Sequence, residues 1–356
     1  MSAAAAPDGA IRLSICIPTY NFGAFIGETL ESILPQVVEG VEIVILDGGS
    51  TDDTPVVVAS FQERCPAVRY ERRPERGGID RDLARTVDMA RGEYCWLFCS
   101  DDVMKPAAIE EMLGHIAGGL DLYVCGVTLC TKDMTVIGDH SVSSLPSDSA
   151  FDLGDPDERR RYFESALTTT AFFSFAGSLI LNKARWDTRT IDEDFVGSCW
   201  AHVARFFSMV PEGLTVGYLP TSYLFKRSDN DSFMDDGLVR RYALAIDGCH
   251  RLADTFFGAA SAEARHVRRV VANEFPLYVL LEAKSMATDE RPQDLPLLDR
   301  LATKAYVDRS PGNRVKHLAY KRVPVRVYRG ARATYRALKS ARALRRRRRG
   351  LRAAAR

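Results

Sequence analysis

The first hundred residues contain four short apolar runs, which are separated by polar loops and by segments with helical spacing. Short apolar runs of this kind are typical of strands that are buried on both faces of a parallel sheet. A strand, a loop and a helix repeated three times predict a doubly wound α/β sheet. In such a sheet the loops that follow the strands build the ligand crevice. The four runs are Leu13–Ile17, Val41–Leu46, Val68–Tyr70 and Tyr94–Phe98.

Two adjacent carboxylates, Asp101 and Asp102, stand just after the fourth run. Because like charges repel, such a pair is usually tolerated where something positive lies nearby. Carboxylate oxygens suit hard cations such as Mg²⁺ and Mn²⁺, so the pair is a candidate metal site. The alternative is that the two residues only cap the next helix, with Pro106 in its first turn.

The loops after the other runs also carry amides and carboxylates, at Asn21, at Asp47 and at Asp80–Asp82. These groups would lie on the same rim of the sheet as Asp101, and an acidic rim with a cation suits a nucleoside diphosphate. No GxGxxG opens a helix and no GxxxxGK[ST] occurs, which argues against a dinucleotide site and excludes a P-loop. Asp47 would accept hydrogen bonds from a base or a ribose. The alternative is that Asp47-Gly48-Gly49 is a turn that requires glycine.

Four motifs in this order resemble those of family 2 glycosyltransferases of the GT-A fold: SICIPTYN, ILDGGSTDDT, GGIDRD and ARGEYCWLFCSDD. The GGIDRD…GEYCWLF…DD arrangement is most similar to the abequosyltransferase-type branch, which builds bacterial O-antigen repeats. The match covers roughly residues 12–235. The resemblance implies a Rossmann-like, doubly wound mixed sheet and a metal-assisted, inverting hexosyltransferase that uses a nucleotide-sugar donor.

The resemblance also implies roles for particular residues. The nucleoside would lie against Thr19, Asn21 and Asp47, and the ribose or diphosphate near Arg81 or Asp82. The divalent cation, Mn²⁺ or Mg²⁺, would be held by Asp101 and Asp102, which places Asp101 at the donor as well. The stretch LFKRSDNDSF resembles a loop that closes over the diphosphate, where Lys226 and Arg227 would neutralise phosphate oxygens. The alternative for this stretch is a solvated polar loop.

The sequence departs from the family pattern at two places. Cys99 stands where the metal motif usually has an acid, and Ser198-Cys199 stands where the family often has the Glu-Asp pair that supplies the catalytic base. His202, one helical turn after Cys199, is a candidate base because a neutral imidazole accepts protons near pH 7. Asp194 and Glu193, just upstream, are the other candidates. The alternative for His202 is a hydrogen-bonded core histidine without a catalytic role.

The formal net charge of +1 conceals a strong asymmetry along the chain. From residue 309 to the end there are 18 Lys and Arg residues and no Asp or Glu, so the body is acidic and the end is basic. Tyr328, Ala331, Tyr335 and Leu338 keep helical spacing among arginines, which is typical of an interfacial helix on anionic lipid. RNA binding and a solvated tail are the alternatives. The predicted division is a flexible leader (1–10), a GT-A domain (11–235), a helical extension (236–306) with helices over 239–257 and 262–286, and a membrane-associating tail (307–356).

The eight cysteines are scattered and several lie in apolar runs, which favours a reduced, cytoplasmic protein. Residues 1–10 lack the pattern of a signal peptide, and no apolar run reaches the length of a membrane span. We therefore expect an enzyme on the inner face of the plasma membrane that glycosylates a hydroxyl of a lipid-linked saccharide, with no nucleic-acid partner. The alternatives are a polyprenyl-phosphate sugar synthase, whose anionic acceptor needs little base, and a nucleotide- or RNA-binding scaffold without activity.

Overall fold

The computed structural model describes residues 10–230, 234, 236–308 and 310–335. The strands are β1 (Leu13–Thr19), β2 (Val41–Asp47), β3 (Val68–Arg72), β4 (Tyr94–Leu97), β5 (Val103–Met104), β6 (Leu122–Cys130), β7 (Val136–His140), β8 (Ser149–Asp152), β9 (Leu179–Asn182) and β10 (Thr215–Arg227). The α-helices are α1 (Gly23–Ile33), α2 (Thr54–Arg64), α3 (Ile79–Met89), α4 (Ala108–Ile116), α5 (Pro156–Ser165), α6 (Lys183–Asp187), α7 (Ala201–Met209), α8 (Leu238–Phe257), α9 (Ala262–Glu274), α10 (Leu277–Glu290), α11 (Leu295–Ala305) and α12 (Pro311–Arg322). Residues 325–335 are also helical.

The described strands form one mixed sheet in the order β3-β2-β1-β4-β9-β6-β10-β5, with β7 beside β6 and β8 beside β10. The pairs β1–β2, β2–β3 and β1–β4 are parallel, whereas β9 runs antiparallel to both β4 and β6. The predicted α/β mixed sheet is therefore confirmed. Apolar side chains such as Ile15, Ile43 and Trp96 are fully buried in the core, as expected for strands covered on both faces.

Strand β1 is longer than predicted, because it continues through Pro18 to Thr19. Proline interrupts a sheet only where its missing N–H would have bonded. Pairing of β1 with β4 ends at Cys16, whereas pairing with β2 continues to the pair Thr19 and Asp47. One side of β1 is therefore free of a ladder at Pro18, and the carboxyl ends of β1 and β2 lie side by side.

The chain divides into two compact units whose bounds differ from those of the predicted domains. The assignment of separate roles to the predicted domains remains a prediction. One compact unit contains Met1–Asp235 with Gly248–Glu274, and the other contains Asp236–Asp247 with Phe275–Arg356. The single helix predicted over 262–286 is wrong: α9 ends at Glu274 and α10 begins at Leu277. Pro276 lies between them, and proline disfavours a helical conformation in the residue before it.

Tyr328, the first residue of the predicted interfacial stripe, and two neighbouring arginines contact other residues of this protein. The Tyr328 hydroxyl donates to a carboxylate oxygen of Glu282 at 2.9 Å, and Arg329 donates to Ser285 and Asp289. Arg332 also forms an ion pair with Glu282. This side of the helix over 325–335 therefore packs on α10. Leu338, the last residue of the predicted stripe, lies outside the described residues, as do the arginines at positions 345–349 of the sequence. No helix in the described parts of the chain is long and apolar enough to cross a membrane.

Candidate active site

The carboxylate pair lies in the turn between β4 and β5, at the carboxyl end of the central parallel strands. Asp102 is 1% exposed, and its Oδ1 accepts the backbone N–H of Arg227 at 2.9 Å. Its other oxygen, Oδ2, is buried and has no N–H or O–H donor among the described residues. Asp101 is half-buried and accepts a hydrogen bond from the Asn230 amide at 2.9 Å. A buried carboxylate oxygen without a partner is the kind of group that a bound cation satisfies.

Negative charge at this turn is poorly compensated. Burial and then the neighbouring charge of Asp101 raise the pKa of Asp102 to about 7. Burial also raises the pKa of Asp101, although the Asn230 hydrogen bond and Arg227 oppose the shift. The Cys99 thiol, whose pKa is raised well above its usual value by burial and then by the two carboxylates, adds no charge at neutral pH. In the described residues no group of three or more His, Cys, Asp and Glu side chains is arranged to hold a metal. Two carboxylates fit a Mg²⁺ or Mn²⁺ ion that takes its other ligands from water and phosphate.

Lys226 and Arg227 end the long strand β10 rather than lying in a loop, and they face different surroundings. Lys226 is partly exposed, with its ammonium 4.2 Å from the centre of the Phe175 ring, and its charge lowers the pKa of both carboxylates. The Arg227 guanidinium is buried and donates to the Asp101 carbonyl, the Lys132 carbonyl and the Glu28 carboxylate. Lys226 is therefore the more available cation, and Arg227 holds the carboxylate turn in place.

The predicted nucleoside residues meet at the ends of β1 and β2. Asp47 is fully buried; its Oδ1 accepts the Ser50 N–H at 2.7 Å and its Oδ2 accepts the Tyr70 hydroxyl at 2.6 Å. The Thr19 hydroxyl, also buried, has no hydrogen-bond partner in the part of the chain that the structure describes. Asn21 adopts a left-handed backbone conformation and accepts the Thr51 N–H at 2.8 Å. Asp47 thus orders the turn after β2, and the Thr19 hydroxyl lies on the neighbouring strand position.

Asp82 lies over two glycines at the same rim. A Cβ on Gly48 would lie 2.7 Å from its Oδ2, and a Cβ on Gly77 would lie 2.3 Å from its Oδ1. Both positions therefore require glycine for the buried carboxylate to fit. Burial raises the pKa of Asp82, and the Arg73 guanidinium 3.3 Å away opposes that shift. Arg81, by contrast, points to solvent and forms a two-fold ion pair with Glu193.

Asp80, the first acid of GGIDRD, organises the segment in front of α7. Its carboxylate accepts three backbone N–H groups, from Gly197 at 2.8 Å, Cys199 at 3.0 Å and Ala201 at 3.1 Å. Asp80 is 6% exposed, so these hydrogen bonds are largely shielded from water. Cys199 has a positive φ of 67°, which is strained for a residue with a side chain. Asp80 therefore holds the stretch where the family often places its catalytic acid.

The two candidate bases occupy different environments. His202 lies in α7 at 8% exposure, and its Nε2 is 3.0 Å from the Phe173 carbonyl. Burial lowers the pKa of His202, so the imidazole is neutral at pH 7 and Nε2 donates to that carbonyl. Asp194 is exposed in a 3₁₀ turn over Glu193–Phe195. The structure does not bring the two side chains into contact with each other.

Sequence reasoning missed four contributors to this rim: Tyr70, Arg73, Asn230 and the bracing role of Asp80. Tyr70 lies in β3 and Arg73 follows it. No acidic pair occurs in this part of the sequence to indicate a binding site. The signal that was available is the topology itself, because β3 lies beside β2 and its carboxyl end therefore reaches the same rim.

The sequence is similar to those of known glycosyltransferases. Residues 14–184 match Glycosyl transferase family 2. The chain is 29% identical to abequosyltransferase RfbV of Salmonella typhimurium over 289 residues, which cover 80% of this chain and 87% of the relative. It is 24% identical over 188 residues to the GalNAc(5)-diNAcBac-PP-undecaprenol beta-1,3-glucosyltransferase of Campylobacter jejuni, covering 52% of this chain and 57% of that protein.

Solved structures show the same fold. Residues 1–349 of Staphylococcus aureus TarS, in complex with UDP-GlcNAc, align with a TM-score of 0.57 at 14% identity, over 92% of each chain. The mannosyltransferase PcManGT of Pyrobaculum calidifontis, in complex with GDP-Man and Mn²⁺, aligns with a TM-score of 0.50 at 17% identity, over 89% of this chain and 90% of that one. At these identities the likeness supports the GT-A fold and no more.

Proposed function

We propose that this chain, a glycosyltransferase whose residues 14–184 match Glycosyl transferase family 2, moves a sugar from a nucleoside diphosphate to a hydroxyl of a lipid-linked saccharide. The observation that carries the donor proposal is the unsatisfied, buried pair of polar atoms on one rim, Thr19 Oγ1 and Asp102 Oδ2. The first lies at the predicted nucleoside end and the second at the predicted metal. The acceptor proposal is supported by the Campylobacter jejuni relative, whose name gives an undecaprenol-linked saccharide as the acceptor.

Each part of the donor would meet a different group of the rim. Thr19 and Asp47 would contact the nucleoside, and Asp82 the ribose. Asp101 and Asp102 would hold a Mg²⁺ or Mn²⁺ ion, which when bound offsets the charge that develops on the leaving diphosphate. Lys226 adds a positive charge beside the same phosphates, where its ammonium is already oriented by Phe175. Arg81 would contact a phosphate only after its ion pair with Glu193 is broken, so its role at the donor requires that change of partner.

For the acceptor, we propose His202 as the general base, with Asp194 as the alternative. The lowered pKa of His202 keeps the imidazole unprotonated, as a base at neutral pH requires. Since Nε2 donates to the Phe173 carbonyl, Nδ1 is the nitrogen that would accept the proton from the acceptor hydroxyl. The alternative, Asp194, has the exposure that His202 lacks.

A thermal-shift screen of UDP, CDP, GDP and dTDP, each with and without Mn²⁺, tests the donor site. We expect one nucleotide to raise the melting temperature only when Mn²⁺ is present, because its phosphates complete the metal coordination. At a concentration of 100 times the dissociation constant, a ligand stabilises the folded state by about 2.7 kcal/mol. Equal shifts with and without Mn²⁺ would remove the metal from the proposal, and no shift with any nucleotide would remove the nucleotide site.

Paired substitutions test the base. We expect His202→Gln to lower kcat by about 10²- to 10⁴-fold, the usual contribution of a general base, and Asp194→Asn to change it little. In the unmodified enzyme, kcat should fall as the pH drops through the pKa of His202, which burial lowers from its ordinary value, because protonation removes the accepting nitrogen. The reverse pattern would assign the base to Asp194. If neither substitution matters, product analysis with polyprenyl phosphate as acceptor tests the synthase alternative.

We also propose that the enzyme works on the inner face of the plasma membrane, held there by its basic carboxyl-terminal region. The support is the run of 18 basic and no acidic residues from 309 onward. Each basic residue near an anionic surface contributes about 1 kcal/mol to binding. A lipid-linked acceptor presents its sugar at that surface, so attachment would raise the rate of encounter.

A further inference from the structure

Helix α12 presents a face that is both cationic and apolar. At helical spacing, Arg314, Val315, Leu318, Lys321 and Arg322 are all exposed, and they fall on one side of the helix. Val315 is 68% exposed and Leu318 is 54% exposed. Large aliphatic side chains that are this exposed and lie together are uncommon on a helix whose apolar face packs on its own protein.

The opposite side of α12 is the one that packs within the protein. Tyr320 is 1% exposed, and its hydroxyl donates to the Asp299 carboxylate at 2.8 Å. The Lys284 ammonium donates to the Tyr320 carbonyl and lies 4.4 Å from the centre of its ring. Asn313 is also buried. The internal contacts of α12 are therefore made by one side, and the exposed apolar pair on the other side needs a separate explanation.

The charges near this exposed face remain available to an external partner. No acidic residue occurs from 309 to the end of the sequence, so Arg314, Lys321 and Arg322 have no acidic neighbour on their own helix. The helix over 325–335 differs, since Arg329 and Arg332 are paired with Asp289 and Glu282. The predicted stripe around Tyr328 is thus partly neutralised. Among the described residues, no ion pair is formed by Arg314, Lys321 or Arg322, the cations that accompany the apolar pair on α12.

We propose that the exposed face of α12, defined by Arg314, Val315, Leu318, Lys321 and Arg322, inserts into the headgroup region of an anionic bilayer. Charge complementarity favours this occupant, because aliphatic side chains between cations match an apolar boundary below a layer of negative headgroups. Nucleic acid would satisfy the cations but would leave Val315 and Leu318 in water. The inference deepens the proposed membrane location and rests on it, but not on the sugar-transfer chemistry.

Vesicle co-sedimentation of the full chain tests the proposal, with phosphatidylcholine vesicles that contain or lack phosphatidylglycerol. We expect Val315→Ser with Leu318→Ser to lower the partition coefficient on anionic vesicles about ten-fold, and Arg314→Gln with Lys321→Gln to lower it and to weaken its dependence on salt. The matched control is Val136→Ser with Ile137→Ser on β7, where two aliphatic side chains are similarly exposed at 57% and 62%. That variant should bind like the unmodified chain.

The other outcomes separate this inference from the broader membrane proposal. If binding survives the α12 substitutions but is lost when the arginines 345–349 are replaced by serine, the membrane location stands and the α12 assignment is overturned. If the unmodified chain does not bind anionic vesicles, the membrane location and the α12 assignment are both overturned. Retention on single-stranded RNA that depends on Arg314 and Lys321 but not on Val315 and Leu318 would assign the face to nucleic acid instead. Melting temperatures of all variants establish that each chain is folded.

Discussion

Asp102→Asn is expected to lower kcat on the order of 10³-fold, the largest functional effect of a single substitution on this rim. The substitution removes a negative charge from the proposed metal site, where Asp102 Oδ2 accepts no oxygen- or nitrogen-bound hydrogen from the described residues. An asparagine oxygen can still accept the Arg227 N–H that Asp102 Oδ1 now accepts at 2.9 Å. The fold should therefore persist, and the loss should come from weaker Mn²⁺ binding and slower transfer.

Two measurements distinguish this explanation from general damage. Mn²⁺ titration followed by electron paramagnetic resonance should show weaker binding to Asp102→Asn, whereas thermal unfolding without metal should not show a less stable protein. The matched control is Asp133→Asn, an exposed carboxylate that bonds only to nearby threonines in the described chain. It should retain normal kcat and normal Mn²⁺ affinity. Activity of Asp102→Asn within about three-fold of the unmodified enzyme would contradict a metal-holding role.

Asp80→Ala is expected to lower the free energy of unfolding by about 3 kcal/mol, the largest stability effect we predict. Its buried carboxylate accepts three backbone N–H groups between Gly197 and Ala201, and alanine would leave all three donors unsatisfied. Asp80→Asn should lose less, because one amide oxygen can still accept from Gly197 and Cys199. Urea unfolding, monitored by circular dichroism, measures the difference.

The control for this prediction lies on the same helix. Asp88 is exposed near the end of α3, and Asp88→Ala should change the free energy of unfolding by no more than about 0.5 kcal/mol. Because the Asp80 carboxylate holds the segment in front of α7, Asp80→Ala should also reduce transfer activity below the temperature at which it unfolds. Equal stabilities of Asp80→Ala and Asp88→Ala would show that the three hydrogen bonds contribute little.

The sequence predicted the strands and the polar rim best, because there the residue pattern and the sheet topology lead to the same conclusion. The four apolar runs predicted strands that the structure confirms, and their shared carboxyl edge predicted that Asp47, Asp82 and Asp101 lie on one rim. Parallel strands with helical crossovers leave few alternatives, since the hydrophobic runs must be covered on both faces. The motifs then indicated the family, which the match over residues 14–184 bears out.

What the sequence by itself determined is thus the sheet, its polar rim and the basic charge of the carboxyl-terminal end. Only the tertiary structure determined which polar side chains are used in contacts within the protein and which remain exposed to a ligand. Arg227 is buried against Glu28, 199 residues earlier in the chain, whereas the neighbouring Lys226 stays partly exposed. Asp80 accepts N–H groups from residues more than 100 positions away. Such partners are distant in sequence and are brought together only by packing of the sheet and helices. Residue type and local spacing therefore do not predict them.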